Sequence, residues 1–252
     1  MLLDPGQDVA TFSGYRAGFP DSLAERLRRF GFGLPGQRVL DLCCGHGDLA
    51  QMFATAGCRV VALDSSATML EHARRTCAGL DVDFVEAKAE ASGLADASFD
   101  AIIAGQCWHC LERRRAAAEM ARRVKPGGLL AIAHFDWVPL PGNVVAAAEE
   151  VIRKWNPVWP MGGGTGIYPQ WLGDMAVAGI GELESFSCDV AAAHARQDWR
   201  ARLRGTVGIA GRLSPQLIHD FDLDLGRMLD TRFPSEPLMV PHRLWVAVGR
   251  RK

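Results

Sequence analysis

Apolar and polar positions follow two rhythms along the chain, and the switches between them outline the elements. Residues 21–30 (DSLAERLRRF) open on a capping-type Asp21 or Ser22 and set Leu23, Leu27 and Phe30 on one face, the spacing of a short amphipathic helix. The apolar run at 37–42 predicts a buried strand, Gly45 and Gly47 a turn, residues 48–56 a helix, and CRVVALD a second strand ending on Asp64. This is a βαβ unit opening on a glycine turn. The alternation continues with a helix at 67–78, strands at VDFVEA and FDAIIAG, and a helix at 112–124 ended by Pro126-Gly127-Gly128. A strand at LLAIAHF follows, and a last apolar strand, LWVAVGR, lies near residue 250. Strands alternating with helices predict an α/β fold, a Rossmann-like doubly wound, mostly parallel sheet with helices on both faces.

Two stretches break the rhythm: residues 137–170, rich in Trp, Pro and Gly, and residues 191–237, mostly helical with many arginines. Both are expected to form a cap, because ligands of doubly wound sheets bind at the carboxyl ends of the strands and loops there enclose them. The expected organisation is one domain, with a core over about 21–136, 180–190 and 240–250 and a cap over 137–170 and 191–237. A length of 252 residues is ample for such a core.

Composition narrows the function classes. A 48% hydrophobic and 23% charged share is that of an ordinary globular protein, and a net charge of -1 offers no basic field for nucleic acid. No apolar run approaches the roughly 20 residues needed to cross a bilayer, so no membrane partner is expected. The opening MLLDPGQDVA breaks at Asp4 and Pro5 and does not read as a signal peptide, which makes a cytoplasmic location the expectation. Seven scattered cysteines, with Cys43 and Cys44 adjacent, point to reduced thiols.

The segment VLDLCCGHGDLA has the form of a nucleotide-binding turn but suits a pyrophosphate poorly. Ala50 replaces the third glycine of the dinucleotide fingerprint, and Asp41 and Asp48 lie where the pyrophosphate would sit. Like charges at about 4 Å oppose one another by about 4 kcal/mol per pair at an effective dielectric of about 20. A dinucleotide oxidoreductase is thereby disfavoured, and a cationic ligand fits. Asp64 ends the second strand, where an acidic side chain can accept hydrogen bonds from both ribose hydroxyls. The indicated cofactor is an adenosine with a positively charged tail.

On these residues the chain resembles the class I S-adenosylmethionine-dependent methyltransferases. VLDLCCGHGDLA resembles their first motif, and VVALDSSATMLEHAR the strand and helix that follow it. SFDAIIAGQCWHCLERRRAAAEMARRVKPGG resembles their fourth strand, next helix and closing turn. FSGYRAGFP resembles the segment that precedes the core in relatives of trans-aconitate methyltransferase, so the likeness covers about residues 12–136. It implies S-adenosyl-L-methionine as cofactor and methyl transfer to a small-molecule acceptor. It further implies that Asp41, Gly45 and Gly47 line the methionine part, Asp64 holds the ribose, Ser65 sits beside the adenine, and Gly105 and Gln106 face the methyl group. Tyr15 and Arg16 look like the pair that closes over the methionine carboxylate. Where the family often has Gly-Asp-Ala-Glu after the third strand, this chain has Ala87-Lys88-Ala89-Glu90. Lys88 cannot accept a hydrogen bond from the adenine amine, so Glu90 or the backbone at Ala89 is the expected substitute.

Methyl transfer from a sulfonium is an in-line displacement, so alignment and exclusion of water can carry most of the catalysis. If a general base is used, His109 is the best placed, and its ordinary pKa near 6.5 suits proton removal at neutral pH. The alternative is a hydrogen-bonded loop histidine. His134 and Asp136 end the LLAIAHF strand, and Trp108 and His134 are expected beside the acceptor. Trp137, Trp155, Trp159 and Trp171 read chiefly as packing of the cap. Cys107 and Cys110 flank Trp108-His109, but a structural zinc site needs four ligands and no second pair has ligand spacing, so no metal is expected. Arg196, Arg200 and Arg204 recur every four residues and form one helical stripe, from which Arg200 and Arg204 are expected to hold an anionic, carboxylate-bearing acceptor. The competing class is a cofactor-binding module that has lost transfer and serves as a sensor or partner subunit.

Overall fold

The computed structural model describes residues 17–206 and 208–252. Tyr15 and Arg16 therefore lie outside the described residues. The described strands are β1 (Arg38–Leu42), β2 (Arg59–Asp64), β3 (Val82–Glu86), β4 (Phe99–Gly105), β5 (Val124–Trp137), β6 (Ile180–His194) and β7 (Leu238–Arg251). They form one sheet in the order β3-β2-β1-β4-β5-β7-β6. The pairs β1–β2, β2–β3, β1–β4 and β4–β5 are parallel. The order reverses between β1 and β4, which makes the carboxyl ends of those two strands the place where such sheets bind ligands.

The helices are α1 (Ser22–Arg28), α2 (Asp48–Thr55), α3 (Ala67–Thr76), α4 (Arg113–Arg123), α5 (Val144–Trp155), α6 (Gln170–Val177), α7 (Arg196–Arg204) and α8 (Pro215–Arg232). Several starts are fixed by side chains that take up otherwise unpaired backbone N–H groups. Met69 N–H donates to Ser66 Oγ at 3.3 Å, Ala146 N–H to Asn143 Oδ1 at 2.8 Å, and Leu217 N–H to Ser214 Oγ at 3.4 Å, just ahead of the helix-initiating Pro215.

The chain divides into two compact units. The sheet unit comprises residues 18–135, 167–188 and 244–252. Its central strands are buried on both faces, hence their unbroken apolar runs. Leu40, Leu42, Ile102, Ala104, Leu130 and Ile132 pack with Met120 of α4 and with Trp171 and Met175 of α6. The helical unit holds residues 136–166 and 189–243, and its separate core joins Val145 and Ile152 of α5 to Trp199 and Leu203 of α7 and to Phe221, Leu225 and Leu229 of α8. Among the described residues no helix is long and apolar enough to cross a membrane.

Some boundaries depart from those expected. Strand β5 begins at Val124, so Pro126-Gly127-Gly128 lies within it, and its pairing with β4 shifts register between Phe99 and Ala101 to absorb them. β7 begins six residues before LWVAVGR, at Leu238, and β6 runs on to His194. Of the stretches expected as a cap, residues 167–170 belong to the sheet unit and the rest to the helical unit.

Candidate cofactor site at the carboxyl ends of β1, β2 and β4

The turn after β1 is built on two left-handed glycines, Gly45 (φ 54°) and Gly47 (φ 88°). A Cβ on Gly47 would lie 3.1 Å from Ala73 Cα and 3.2 Å from Cys77 Sγ, so the turn is pressed against α3. A Cβ on Gly45 would meet nothing within 4 Å among the described residues, which leaves its backbone open on that side. Gly45 N–H donates to Asp64 Oδ2 at 3.0 Å and Ser66 N–H to Asp64 Oδ1 at 2.9 Å. One carboxylate at the end of β2 thus ties both turns together.

Asp41, near the end of β1, is 1% exposed. Ala50 N–H donates to its carboxylate, and Oδ2 has no partner among the described residues. Burial, reinforced by the charges of Asp48 and Asp64 and opposed by the Ala50 N–H, pushes its pKa up to about 7. A buried carboxylate oxygen with nothing to bind is costly, and a cation or a strong donor arriving there relieves that cost. Three carboxylates around an open glycine backbone suit a ligand with a cationic tail and hydroxyls to donate, and they oppose a pyrophosphate.

The end of β4 lies alongside. A Cβ on Gly105 would fall 2.4 Å from Leu49 Cδ1 and 3.1 Å from Phe19 Cε2, so a side chain here would push both of these tips aside. Gln106 follows with φ 57°, a left-handed conformation rare for a residue with a side chain. Its side chain zips β4 to β5: Phe135 N–H donates to Gln106 Oε1 at 2.6 Å, and Gln106 Nε2 donates to Phe135 O at 3.2 Å. Cys107 Sγ lies 3.6 Å from Leu42 O, and the neighbouring Cys43 thiol together with burial drives its pKa upward, which makes it an inert thiol.

On the side expected for the adenine, Ser65 is exposed and Ala89 is buried. Glu90 Oε1 accepts the Glu112 N–H at 3.0 Å and so anchors the start of α4. A residue that sequence reasoning missed holds this loop. Glu119 is 5% exposed and accepts from Ser92 N–H at 2.9 Å, from Ser92 Oγ at 2.5 Å and from Arg123 Nε at 2.9 Å, with Arg122 as a further ion pair. Burial alone would raise its pKa, but the Ser92 and arginine donors reverse this and hold it at about 2. The signal was present in the sequence as Glu119 followed by Arg122 and Arg123, three and four residues on.

The residues expected to touch an acceptor divide. His109 is exposed and lies 5.3 Å from the buried His134, ring centre to ring centre. His134 packs on Trp171 at 4.5 Å and Tyr168 at 5.0 Å. Trp108 is core, not cleft: it is fully buried, and its indole N–H donates to Asp174 at 3.1 Å. The arginine stripe is likewise committed within the helical unit. Arg200 makes a forked pair with Asp222, at 3.0 and 2.6 Å, and Arg204 binds the same carboxylate at 2.7 Å. Arg196 pairs with Asp230 and Glu236. Asp222 stands on α8, and the sequence carries no signal that α8 lies against α7.

Residues 39–128 match the family described as a methyltransferase domain. The chain is 45% identical over 104 residues to the demethylmenaquinone methyltransferase of Renibacterium salmoninarum, a stretch covering 41% of this chain and 43% of that one. It is 41% identical over 125 residues to the malonyl-[acyl-carrier protein] O-methyltransferase of Enterobacter lignolyticus, covering 48% and 46%. The chain thus spans less than half the length of these two relatives. Among solved structures it shares its fold with phosphoethanolamine N-methyltransferase 2 of Haemonchus contortus in complex with phosphomonomethylethanolamine and S-adenosylhomocysteine. The TM-score is 0.58 at 16% identity, over 98% of this chain and 58% of that one.

Proposed function

We propose that the chain is a class I S-adenosylmethionine-dependent methyltransferase, a reading supported by the methyltransferase-domain match at residues 39–128, and that it transfers a methyl group from S-adenosylmethionine to a small-molecule acceptor. The observation that carries the proposal is the buried Asp41 oxygen, which has no partner among the described residues and feels the charges of both Asp48 and Asp64. In this reading Asp41 and the turn at Gly45 and Gly47 receive the methionine end, Asp64 the ribose hydroxyls, and Ser65 with the Ala89–Glu90 loop the adenine. Gly105 and Gln106 border the reacting methyl group. Asp64 already accepts two N–H bonds, so its orientation is fixed before any hydroxyl arrives, which lowers the entropy lost on binding.

When bound, S-adenosylmethionine supplies an electrophilic methyl group on a sulfonium. The chain's own contribution is alignment and a dry site. His109 is the group we propose to take a proton from the acceptor, its exposed ring being accessible to one. We further propose that the acceptor carries a carboxylate. Because Arg200 and Arg204 already share Asp222, an acceptor carboxylate would have to displace that side chain to use them. The two relatives named above act on unlike acceptors, so neither name transfers.

Incubation of the chain with methyl-labelled S-adenosylmethionine and a panel of small acids, phenols and amines tests the proposal. Label should pass to at least one acceptor, with acids preferred. A chain that binds the cofactor yet labels nothing in the panel would favour a sensor or partner subunit, and failure to bind it would overturn the reading.

A further inference from the structure

β1 and β4 are parallel neighbours, with Leu42 opposite Ala104, and both leave the sheet through a left-handed residue that carries a side chain: Cys43 at φ 58° and Gln106 at φ 57°. Such conformations are rare outside glycine and gather where a fold holds a site in place. Here they bring two thiols together. Cys107 follows Gln106, its Sγ lies 3.6 Å from Leu42 O, and its thiol is in hydrogen-bond contact with that of Cys43. Both side chains are half-buried and pack on the same core.

The contact with Cys43, burial, and the nearby Asp41 and Cys110 all keep the proton on Cys107. Cys107 is therefore the donor, its one hydrogen shared between Leu42 O and Cys43 Sγ, and Cys43 Sγ is the acceptor. The other thiols around the turn are placed differently. Cys44 Sγ lies 3.9 Å from Gly45 O and Cys77 Sγ 3.6 Å from Gly47 O, each donating to backbone. Cys110 is exposed and stands one short turn beyond Cys107, its N–H donating to Cys107 O at 2.8 Å. Neighbouring strands stand about 4.8 Å apart, within the Cα separation of about 4.4–6.8 Å that a disulfide spans. The ends of β1 and β4 thus need little movement for the two sulfurs in contact to join.

We propose that Cys43 and Cys107 form a reversible dithiol–disulfide site, oxidised by a peroxide and reduced by a small thiol. Cys107 holds its proton, so Cys43 meets the peroxide first. Cys43 Sγ gives its proton to water and attacks one peroxide oxygen; an S–O bond forms, the O–O bond breaks, and the hydroxide released takes up a proton to become water. Cys107 Sγ then attacks the sulfenic sulfur of Cys43; the S–S bond forms, the S–O bond breaks, and the departing hydroxide leaves as water with the Cys107 proton. The two sulfurs together lose two electrons, and the peroxide is reduced to two waters. Contact between the sulfurs makes the second step intramolecular, which offsets the small thiolate share of Cys107. Two molecules of thiol restore the pair through a mixed disulfide and leave as a disulfide of their own. The site borders the proposed cofactor turn, but its oxidation does not depend on the methyl-transfer reading.

The test uses the full chain, reduced, freed of reductant and treated with a slight excess of hydrogen peroxide. Remaining thiols are alkylated and the digest is read by mass spectrometry, with fragment ions separating Cys43 from Cys44. Most of the oxidised chain should carry Cys43 joined to Cys107, with loss of their thiol hydrogens, and dithiothreitol should restore both. In Cys107→Ser, dimedone should instead trap a sulfenic acid on Cys43; if that variant does not fold, the crosslink in the wild-type chain decides alone. Joining of Cys107 to Cys110 or of Cys44 to Cys77 in place of this pair would overturn the proposal. Oxidation of single thiols without a crosslink, or both thiols still free after peroxide, would overturn it as well.

Discussion

The substitution Asp41→Asn removes a single buried charge and should reverse part of the protein's pH dependence. In the folded chain the Asp41 pKa stands at about 7 against an ordinary 3.8, chiefly because of burial. A carboxyl group whose pKa is raised by folding contributes most below its unfolded pKa, and that contribution is lost as the pH rises through the folded value. The shift of about three pH units corresponds to roughly 4 kcal/mol lost by about pH 8. About half of it, roughly 2 kcal/mol, falls between about pH 5.5 and 8.5, where the unfolded side chain is already ionised. The amide of the Asp41→Asn variant keeps an oxygen for the Ala50 N–H and has no charge to bury, so whatever its fixed cost, that cost does not change with pH. Urea unfolding of both ligand-free proteins across this range should show the variant gaining on the wild type by about 2 kcal/mol as the pH rises. Parallel profiles would refute the idea that Asp41 is held protonated by burial, and with it the argument that the site awaits a cation.

Three further outcomes are expected. Gly47→Ala, at φ 88° with Ala73 and Cys77 within 3.2 Å, should lower stability by about 1–3 kcal/mol in thermal melts and weaken cofactor binding in parallel. Glu119→Gln leaves the buried Arg123 with the exposed Asp96 as its remaining counter-charge and should cost about 2 kcal/mol near neutral pH. Since the Glu119 pKa is lowered to about 2 from an ordinary 4.5, its stabilisation holds above 4.5 and fades as the pH falls toward 2, so acid titration should narrow the gap between the two proteins. Arg200→Ala should cost about 1 kcal/mol, since Asp222 retains Arg204, and leave the Michaelis constant of any acidic acceptor unchanged. A raised constant at unchanged stability would restore the stripe as the acceptor's anchor.

The β1–α2–β2 unit was legible because each of its signals is local: an apolar run, a glycine turn that needs φ above zero, an amphipathic helix and an acidic strand end. β6 extends beyond the segment expected for the core because it alternates exposed and half-buried positions, without the apolar run that marked the central strands. The start of β7 was misjudged because Pro241 and His242 interrupt its apolar pattern. Trp108 and the arginine stripe were misread for a different reason: their roles are decided by Asp174 and Asp222, on helices whose packing the chain's periodicity does not announce. The unpartnered oxygen of Asp41 could not be foreseen, since a carboxylate beside a glycine turn gives no sign of how deeply it will be buried.

The central claim is that the ends of β1, β2 and β4 hold an adenosine with a cationic tail, and calorimetric titration of the chain and of Asp64→Ala with S-adenosylhomocysteine tests it most directly. That product keeps the ribose hydroxyls and the ammonium group. The wild-type chain should bind it, NAD should not bind, and Asp64→Ala should weaken affinity by about ten- to a hundredfold, the worth of charged hydrogen bonds to the two hydroxyls. Equal affinity in the two proteins, or binding of NAD in place of S-adenosylhomocysteine, would contradict the account.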